Sequence, residues 1–259
     1  MRATVEMVEM VEQIRIVLVG TTHPGNIGAV ARAMKNMCLD NLWLVAPKQF
    51  PSAEATARAS GADDLLARAR VCADLGQATE GCRLVVGASA RLRTVRWPQM
   101  EPRECARTLL AEAAEGPVAI LFGRESSGLS NQELDRCSHL VHIPSNPAFS
   151  SLNLAAAVQI LSYEIRVAGL SGEPSGEAPR PVASADAMEG FFAHLEQALV
   201  DLRFANPNQS RKLQRRLRRL FFRAAPDNEE LNILRGILSA AQGRKFPRGG
   251  GAAPEYPSN

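Results

Sequence analysis

Nowhere in this chain does an uncharged apolar run approach the roughly 18 residues a membrane span requires, which argues against membrane insertion. Residues Met1 to Gln13 also lack the basic-then-apolar layout of a secretory signal, because Glu6, Glu9 and Glu12 interrupt their apolar positions. Both absences predict a cytoplasmic protein. The five cysteines, Cys38, Cys72, Cys82, Cys105 and Cys137, are odd in number and form no C-x-x-C pair, which fits neither a disulfide framework nor a zinc site. His139 and His142 lie in a strand-like pattern, where residues three apart point to opposite faces, so no metal is expected. Neither G-x-x-x-x-G-K-[ST] nor G-x-G-x-x-G occurs, which leaves a nucleoside triphosphate and a dinucleotide without support. The net charge of +3 is small, so its distribution matters more than its sum.

What is present is a soluble globular composition, 46% hydrophobic and 22% charged, in a chain of 259 residues, longer than one typical domain. Ile14 to Val19 is a β-branched run ended by Gly20 and reads as a buried strand. The loop Thr21 to Asn26 leads to a helix from about Ile27 to Met37, with Ile27, Val30, Ala31, Met34 and Met37 as its core stripe. Gly28 inside that helix costs roughly 1 kcal/mol relative to alanine, which points to close approach by another chain or a ligand. Arg32 projects one turn further on, either into that gap or simply into solvent. Asn41 to Val45 supplies a second strand, giving a β-α-β unit and a parallel sheet. Ser52 to Ala69 reads as helical, interrupted at Gly61.

Cys82 to Ala90 is a strand running into the small residues Ala88, Ser89 and Ala90, followed by Arg91, Arg93 and Arg96. Ligands bind at that edge of open parallel sheets, although a tight turn would use the same residues. A helix from Pro102 to Ala114 precedes the strand Val118 to Phe122, which ends in Gly123-Arg124-Glu125-Ser126-Ser127-Gly128-Leu129. Ser130 and Glu133 then form a capping box. After a strand from about Leu140 to Ile143, Phe149-Ser150-Ser151-Leu152-Asn153 opens a long apolar run ending near Ile165. Ser150 and Ser151 can cap this helix and aim its free N–H groups at the preceding loop, which suits either a ligand site or an ordinary buried helix.

After Gly169 the composition shifts to a Ser/Gly/Pro-rich linker. Asp186 to Phe204 fits an amphipathic helix with Met188, Phe191, Phe192, Leu195, Leu199 and Leu202 on one face. Ser210 to Arg223 is a second, with Leu213, Leu217, Leu220 and Phe221 inward. It carries seven basic residues, Arg211, Lys212, Arg215, Arg216, Arg218, Arg219 and Arg223, and no acidic one. Phosphate backbone is the natural partner of such a helix, with a merely solvated face or an acidic membrane surface as the other readings. A third helix spans Asn228 to Ala241, and Gly and Pro from Lys245 onward predict a disordered tail. The expected organisation is an extension over 1–13, a main domain over 14–169, a linker over 170–184, a helical RNA-binding domain over 185–244 and a tail over 245–259.

Three ordered stretches, Asn26 to Asn36, Leu121 to Leu129, and Ile143-Pro144 through Ser150-Ser151-Leu152-Asn153-Leu154-Ala155, resemble the motifs of the SpoU-like branch of the SPOUT methyltransferases. Enzymes of that branch transfer a methyl group from S-adenosylmethionine to a ribose 2′-hydroxyl of RNA. Asn146-Pro147-Ala148-Phe149, Trp97-Pro98, Arg103-Glu104-Cys105, Arg218-Arg219-Leu220-Phe221 and Glu230 to Leu238 look like the TrmJ type, which methylates C or U at position 32 in the tRNA anticodon loop. The resemblance covers about Ile14 to Leu238.

It implies a homodimeric α/β domain whose parallel sheet ends in a deep C-terminal trefoil knot, a rare exception to unknotted chains, followed by a small all-α domain. It implies S-adenosylmethionine as cofactor, held by Ala88, Ser89, Ala90, Gly123, Ile143, Ser150, Ser151 and Leu152. Arg32, Ser151 and Asn153 would stand at the reaction centre near the subunit interface. The tRNA would meet Asn26, Arg32, Glu125 and Arg91, together with Arg211, Lys212, Arg215, Arg216, Arg218 and Arg219. Two departures stand out: Cys38 replaces a usual glycine, and Gly20 stands where a larger residue often ends the first strand. A different RNA nucleotide, or a non-catalytic RNA-binding protein on the same scaffold, remains an alternative.

Overall fold

The computed structural model of the protein describes residues 10–89, 97–171, 182–205 and 211–244. Ala90 and Arg91, most of the expected linker, the expected tail and most of the N-terminal extension lie outside the described residues. Among the described residues no helix is long and apolar enough to cross a membrane.

Seven parallel strands form one sheet. β1 (Ile14–Val19) lies between β2 (Leu42–Val45) and β6 (Val118–Phe122), and β3 (Arg70–Cys72) forms one edge beside β2. On the other side β6 pairs with β4 (Leu84–Ala88), β4 with β7 (His139–Val141), and β7 with the edge strand β5 (Gln99–Met100). Alternation along β1 sends Ile14, Ile16 and Leu18 into one core and Val17 and Val19 into another. Both faces are covered, which is why the strands read as continuous apolar runs.

α1 (Pro24–Asn36) starts three residues before the expected Ile27, with Pro24 in the first turn, where its missing N–H costs nothing. Asn26 therefore belongs to the helix rather than to the loop. Gly28 packs against α2 (Ala53–Ala59), and a Cβ there would lie 2.0 Å from the Ala55 carbonyl oxygen. The close approach inferred from Gly28 is real, but a neighbouring helix of the same chain makes it. Past the end of α1, Cys38 has φ 61°, a left-handed position where glycine carries no Cβ penalty. α3 (Asp63–Arg68) and α4 (Leu75–Thr79) complete the connections around β3.

Both α1 and α5 (Pro102–Ala113) pack against the long α7 (Leu154–Ser171) over one face of the sheet, while α6 (Asn131–Leu134) follows β6 with the expected Ser130–Glu133 capping box. The expected serine cap of α7 is corrected. Asn153 takes that role, its Oδ1 accepting from the Ala155 N–H at 2.9 Å, while Ser150 and Ser151 lie upstream. The strand order fits the expected knot, because β6 fills the slot between β1 and β4 before the chain crosses β4 to β7 and returns to α7.

Three helices follow: α8 (Ala185–Asp201), α9 (Arg211–Ala224) and α10 (Asn228–Ala241). They enclose a core of Met188, Phe191, Phe192, Phe222 and Leu231. Two residues assigned inward, Leu202 and Leu220, are each 46% exposed. Phe222 fills the inward place on α9, against the Phe192 ring at 5.4 Å.

Candidate active site

The C-terminal ends of β4, β6 and β7 open onto a cavity of about 260 Å³. Ala88, Ser89, Gly123, Ile143, Ser150, Ser151 and Leu152, all expected to hold a cofactor, line it. The fold thus brings together three stretches far apart in sequence. The turn after β6 forms much of the wall. Arg124 N donates to Gly128 O at 3.2 Å and Gly128 N returns a bond to Arg124 O at 2.8 Å, so the backbone doubles back on itself. A Cβ on Gly123 would lie 2.1 Å from the Leu129 nitrogen, a collision that only glycine avoids.

Arg124 also lines the cavity, a residue the sequence reading passed over although it sits between two positions that reading singled out. Its guanidinium forms two bonds to Glu133, at 3.1 and 3.0 Å, and that contact raises its pKa. A Cβ on Gly20, which has φ +61°, would fall 2.8 Å from the Arg124 Nε. The unusual glycine at the end of β1 therefore makes room for this arginine.

Glu125 reaches the other way, to the start of α1. Its carboxylate accepts from Thr22 N at 3.1 Å, Thr22 Oγ1 at 2.6 Å, His23 N at 3.2 Å and Asn26 Nδ2 at 2.9 Å. His23, the residue at the cap position, gives no side-chain cap bond, so a carboxylate from the cavity turn does this work, where the helix dipole also favours negative charge. Burial opposes ionisation, but the bonds from Thr22, Asn26 and His23 outweigh it and lower the carboxyl to about 2. Both oxygens are thus committed within the chain, which makes Glu125 a positioning residue rather than a free RNA contact. Asn153 extends the same array, its Nδ2 donating to Asn26 Oδ1 at 3.2 Å.

Arg32 is exposed on α1 and is not among the residues lining the cavity of its own chain. Eight residues separate it from Pro24, about 12 Å along the helix axis. The basic helix α9 divides its charges. Arg211, Lys212, Arg216 and Arg223 are exposed. Arg215 instead bonds Asp135 Oδ1 at 2.8 Å, with its guanidinium 5.6 Å from the Trp97 ring centroid. Arg218 bonds the Asp135 carbonyl at 3.1 Å and the Glu189 carboxylate at 2.8 Å, and lies 4.4 Å from the Phe192 centroid. These two arginines fasten α9 to the rest of the molecule. Arg219 is partly buried.

The model of the SpoU rRNA Methylase family matches residues 13–163, and that of the tRNA methyltransferase TrmJ C-terminal domain matches 186–250. The tRNA (cytidine/uridine/adenosine-2′-O-)-methyltransferase TrmJ of Pseudomonas aeruginosa (strain UCBPP-PA14) is 51% identical over 251 residues, covering 93% of this chain and 97% of its own. The tRNA (cytidine/uridine-2′-O-)-methyltransferase TrmJ of Salmonella typhimurium (strain LT2) is 50% identical over 237 residues, 90% of this chain and 98% of that one. Among solved structures, TrmJ from Z. mobilis ZM4 superposes with a TM-score of 0.75 at 36% identity, covering 87% of this chain and 97% of that chain.

Proposed function

The chain belongs to the SpoU methylase family, and from that premise we propose that it is a tRNA 2′-O-methyltransferase using S-adenosylmethionine. The substrate is the ribose of a tRNA nucleotide, C or U at position 32 of the anticodon loop, with tolerance for other bases as in the relative named for cytidine, uridine and adenosine. The observation that carries this reading is the cavity at the ends of β4, β6 and β7, tied through Glu125 and Asn153 to the helix that bears Arg32. Residues 14–169 form the catalytic part and 185–244 the part that engages RNA.

The cavity fits the cofactor. Its wall is mainly small side chains and backbone, and the collision a Cβ would make at Gly123 leaves no space for a side chain there. Leu129, Ile143 and Leu154 give an apolar surface for a flat ring, while Ser89, Ser150 and Ser151 bring hydroxyl and backbone groups for its polar edge. S-adenosylmethionine brings a methyl group already on a sulfonium leaving group. The protein therefore has two tasks, to hold the 2′-oxygen in line and to ease loss of its proton.

Arg32 serves the second task by stabilising charge developing on the 2′-oxygen and orienting the adjacent phosphate. A guanidinium yields its own proton with difficulty, so water or phosphate accepts the substrate's proton. Ser151, on the cavity wall, and Asn153, which caps α7 two residues on, hold the ribose side in this reading. The working enzyme in this reading is a homodimer in which Arg32 approaches the partner's cofactor, a reading supported by the exposure of Arg32 on α1 and its place outside the lining of its own cavity. Incubating unmodified tRNA with labelled cofactor and mapping the 2′-O-methyl group by mass spectrometry tests the reading. Label on position 32 supports it; no label on any tRNA sinks it.

A further inference from the structure

Phe149 is 78% exposed, more than any other large apolar side chain among the described residues, and directly precedes Ser150, Ser151 and Leu152 on the cavity wall. Its turn is fastened from three directions. Phe149 N donates to Asn146 O at 2.9 Å, Ala148 N donates to Asn146 Oδ1 at 2.9 Å, and Ser145 Oγ donates to Ser150 O at 3.1 Å. Pro147 fixes a further dihedral inside the same turn. The backbone that carries the ring is therefore fixed beside the cavity, with the ring facing water.

The cavity, at about 260 Å³, lies at the small end of ligand pockets, so with the cofactor seated there it has no room for a nucleobase as well. In a nucleotide the base is carried on C1′, the carbon next to the one bearing the reacting 2′-oxygen. With that oxygen at the cavity mouth, the base is within reach of the rim, on which the residues around 149–152 lie. We propose that Phe149 is the platform on which the base of the methylated nucleotide stacks. The inference rests on the reading of the protein as an RNA 2′-O-methyltransferase and adds how it receives its target base. Stacking uses a π-face that every base has, so it tolerates changes of base in a way that an edge-reading hydrogen bond does not. That accords with the breadth of base proposed above.

The test uses the full-length protein with tRNA transcripts carrying C, U or A at the target position, and compares Phe149→Ala, Phe149→Leu and Phe149→Tyr. F149A should lose about ten- to a hundredfold in kcat/KM for tRNA, the range expected for one stacked base. F149Y should keep most of the activity, and F149L should fall with the alanine variant. Cofactor affinity by calorimetry and dimer mass by light scattering should not change. As a readout independent of turnover, 2-aminopurine at the target position should be quenched on binding the wild type and not F149A. Wild-type rates in F149A or F149L, unaltered quenching in F149A, or a loss matched by loss of cofactor binding or of the dimer, would each overturn the proposal. If the wild type methylates no tRNA, the functional reading has failed; if it does and F149A equals it, only this inference has.

Discussion

Replacing Glu125 by glutamine tests whether the cavity turn really sets the start of α1. Every partner of this carboxylate is a donor: Thr22 N–H, Thr22 hydroxyl, His23 N–H and Asn26 amide. Whichever way the new amide turns, its NH₂ faces a donor, so at least one bond becomes a repulsive contact. The shift of the carboxyl from 4.5 to about 2 corresponds to about 3 kcal/mol at full strength. Glu125 is partly open to solvent, and screening reduces this to about 1–2 kcal/mol, or roughly 2–8 °C in Tm for a chain of this size. The sign with pH follows from the direction of the shift. A carboxyl held below its unfolded value stabilises the fold above that value and loses the effect as pH falls through the folded one. Thermal melts of wild type and E125Q should therefore differ by a constant amount from pH 7 to about pH 5, and the gap should close between 4.5 and about 2. Because α1 carries Arg32, methyl transfer should fall in the same variant. Equal melting temperatures at pH 7, or a gap that persists in acid, would refute the reasoning.

Arg32→Ala should abolish transfer while leaving cofactor affinity by calorimetry nearly unchanged, since the proposed task of Arg32 is on the 2′-oxygen and phosphate of the RNA and not on holding the cofactor; Arg32→Lys should fail too, because an ammonium lacks the planar fork. Cys38→Gly should raise stability by about 1 kcal/mol, seen as a higher Tm, because φ 61° places a Cβ in the left-handed region. Asp135→Ala removes the carboxylate held by Arg215, should cost about 1–3 kcal/mol, and should speed hydrogen exchange in α9 before it does so in β1 or β6.

The strands were the most legible part of the chain because both faces of the sheet are buried. Ile14 to Val19 and Val118 to Phe122 are apolar at every position but Arg15, and no alternative element suits them as well. Boundaries were less legible where one residue type serves two roles. Pro24 reads as loop yet suits the first helical turn, which displaced the start of α1 by three residues. Ser150, Ser151 and Asn153 are all good caps, and local preference does not choose among them; Asn153 holds the role, accepting from the Ala155 N–H. Glu125 was singled out, but not its task, because its contacts with Thr22 and His23 span 103 and 102 residues. No periodicity or spacing reports a bond of that kind.

The basic helix shows the same limit for charge. Composition gave α9 an RNA-binding reading without dividing its cations, yet geometry divides them. Arg215 and Arg218 are three apart and share a side of the helix, and Arg218 is four from the buried Phe222. That side faces Asp135, Glu189, Trp97 and Phe192, so a guanidinium there is drawn into ion pairs and ring contacts within the chain. Arg211, Lys212, Arg216 and Arg223 remain exposed. Asp135 follows α6 two residues after Glu133, the partner of Arg124 in the cavity turn. The helix proposed to meet RNA is thus anchored on the same short segment that steadies the cavity turn, so Arg215 and Arg218 fix where their four exposed neighbours stand.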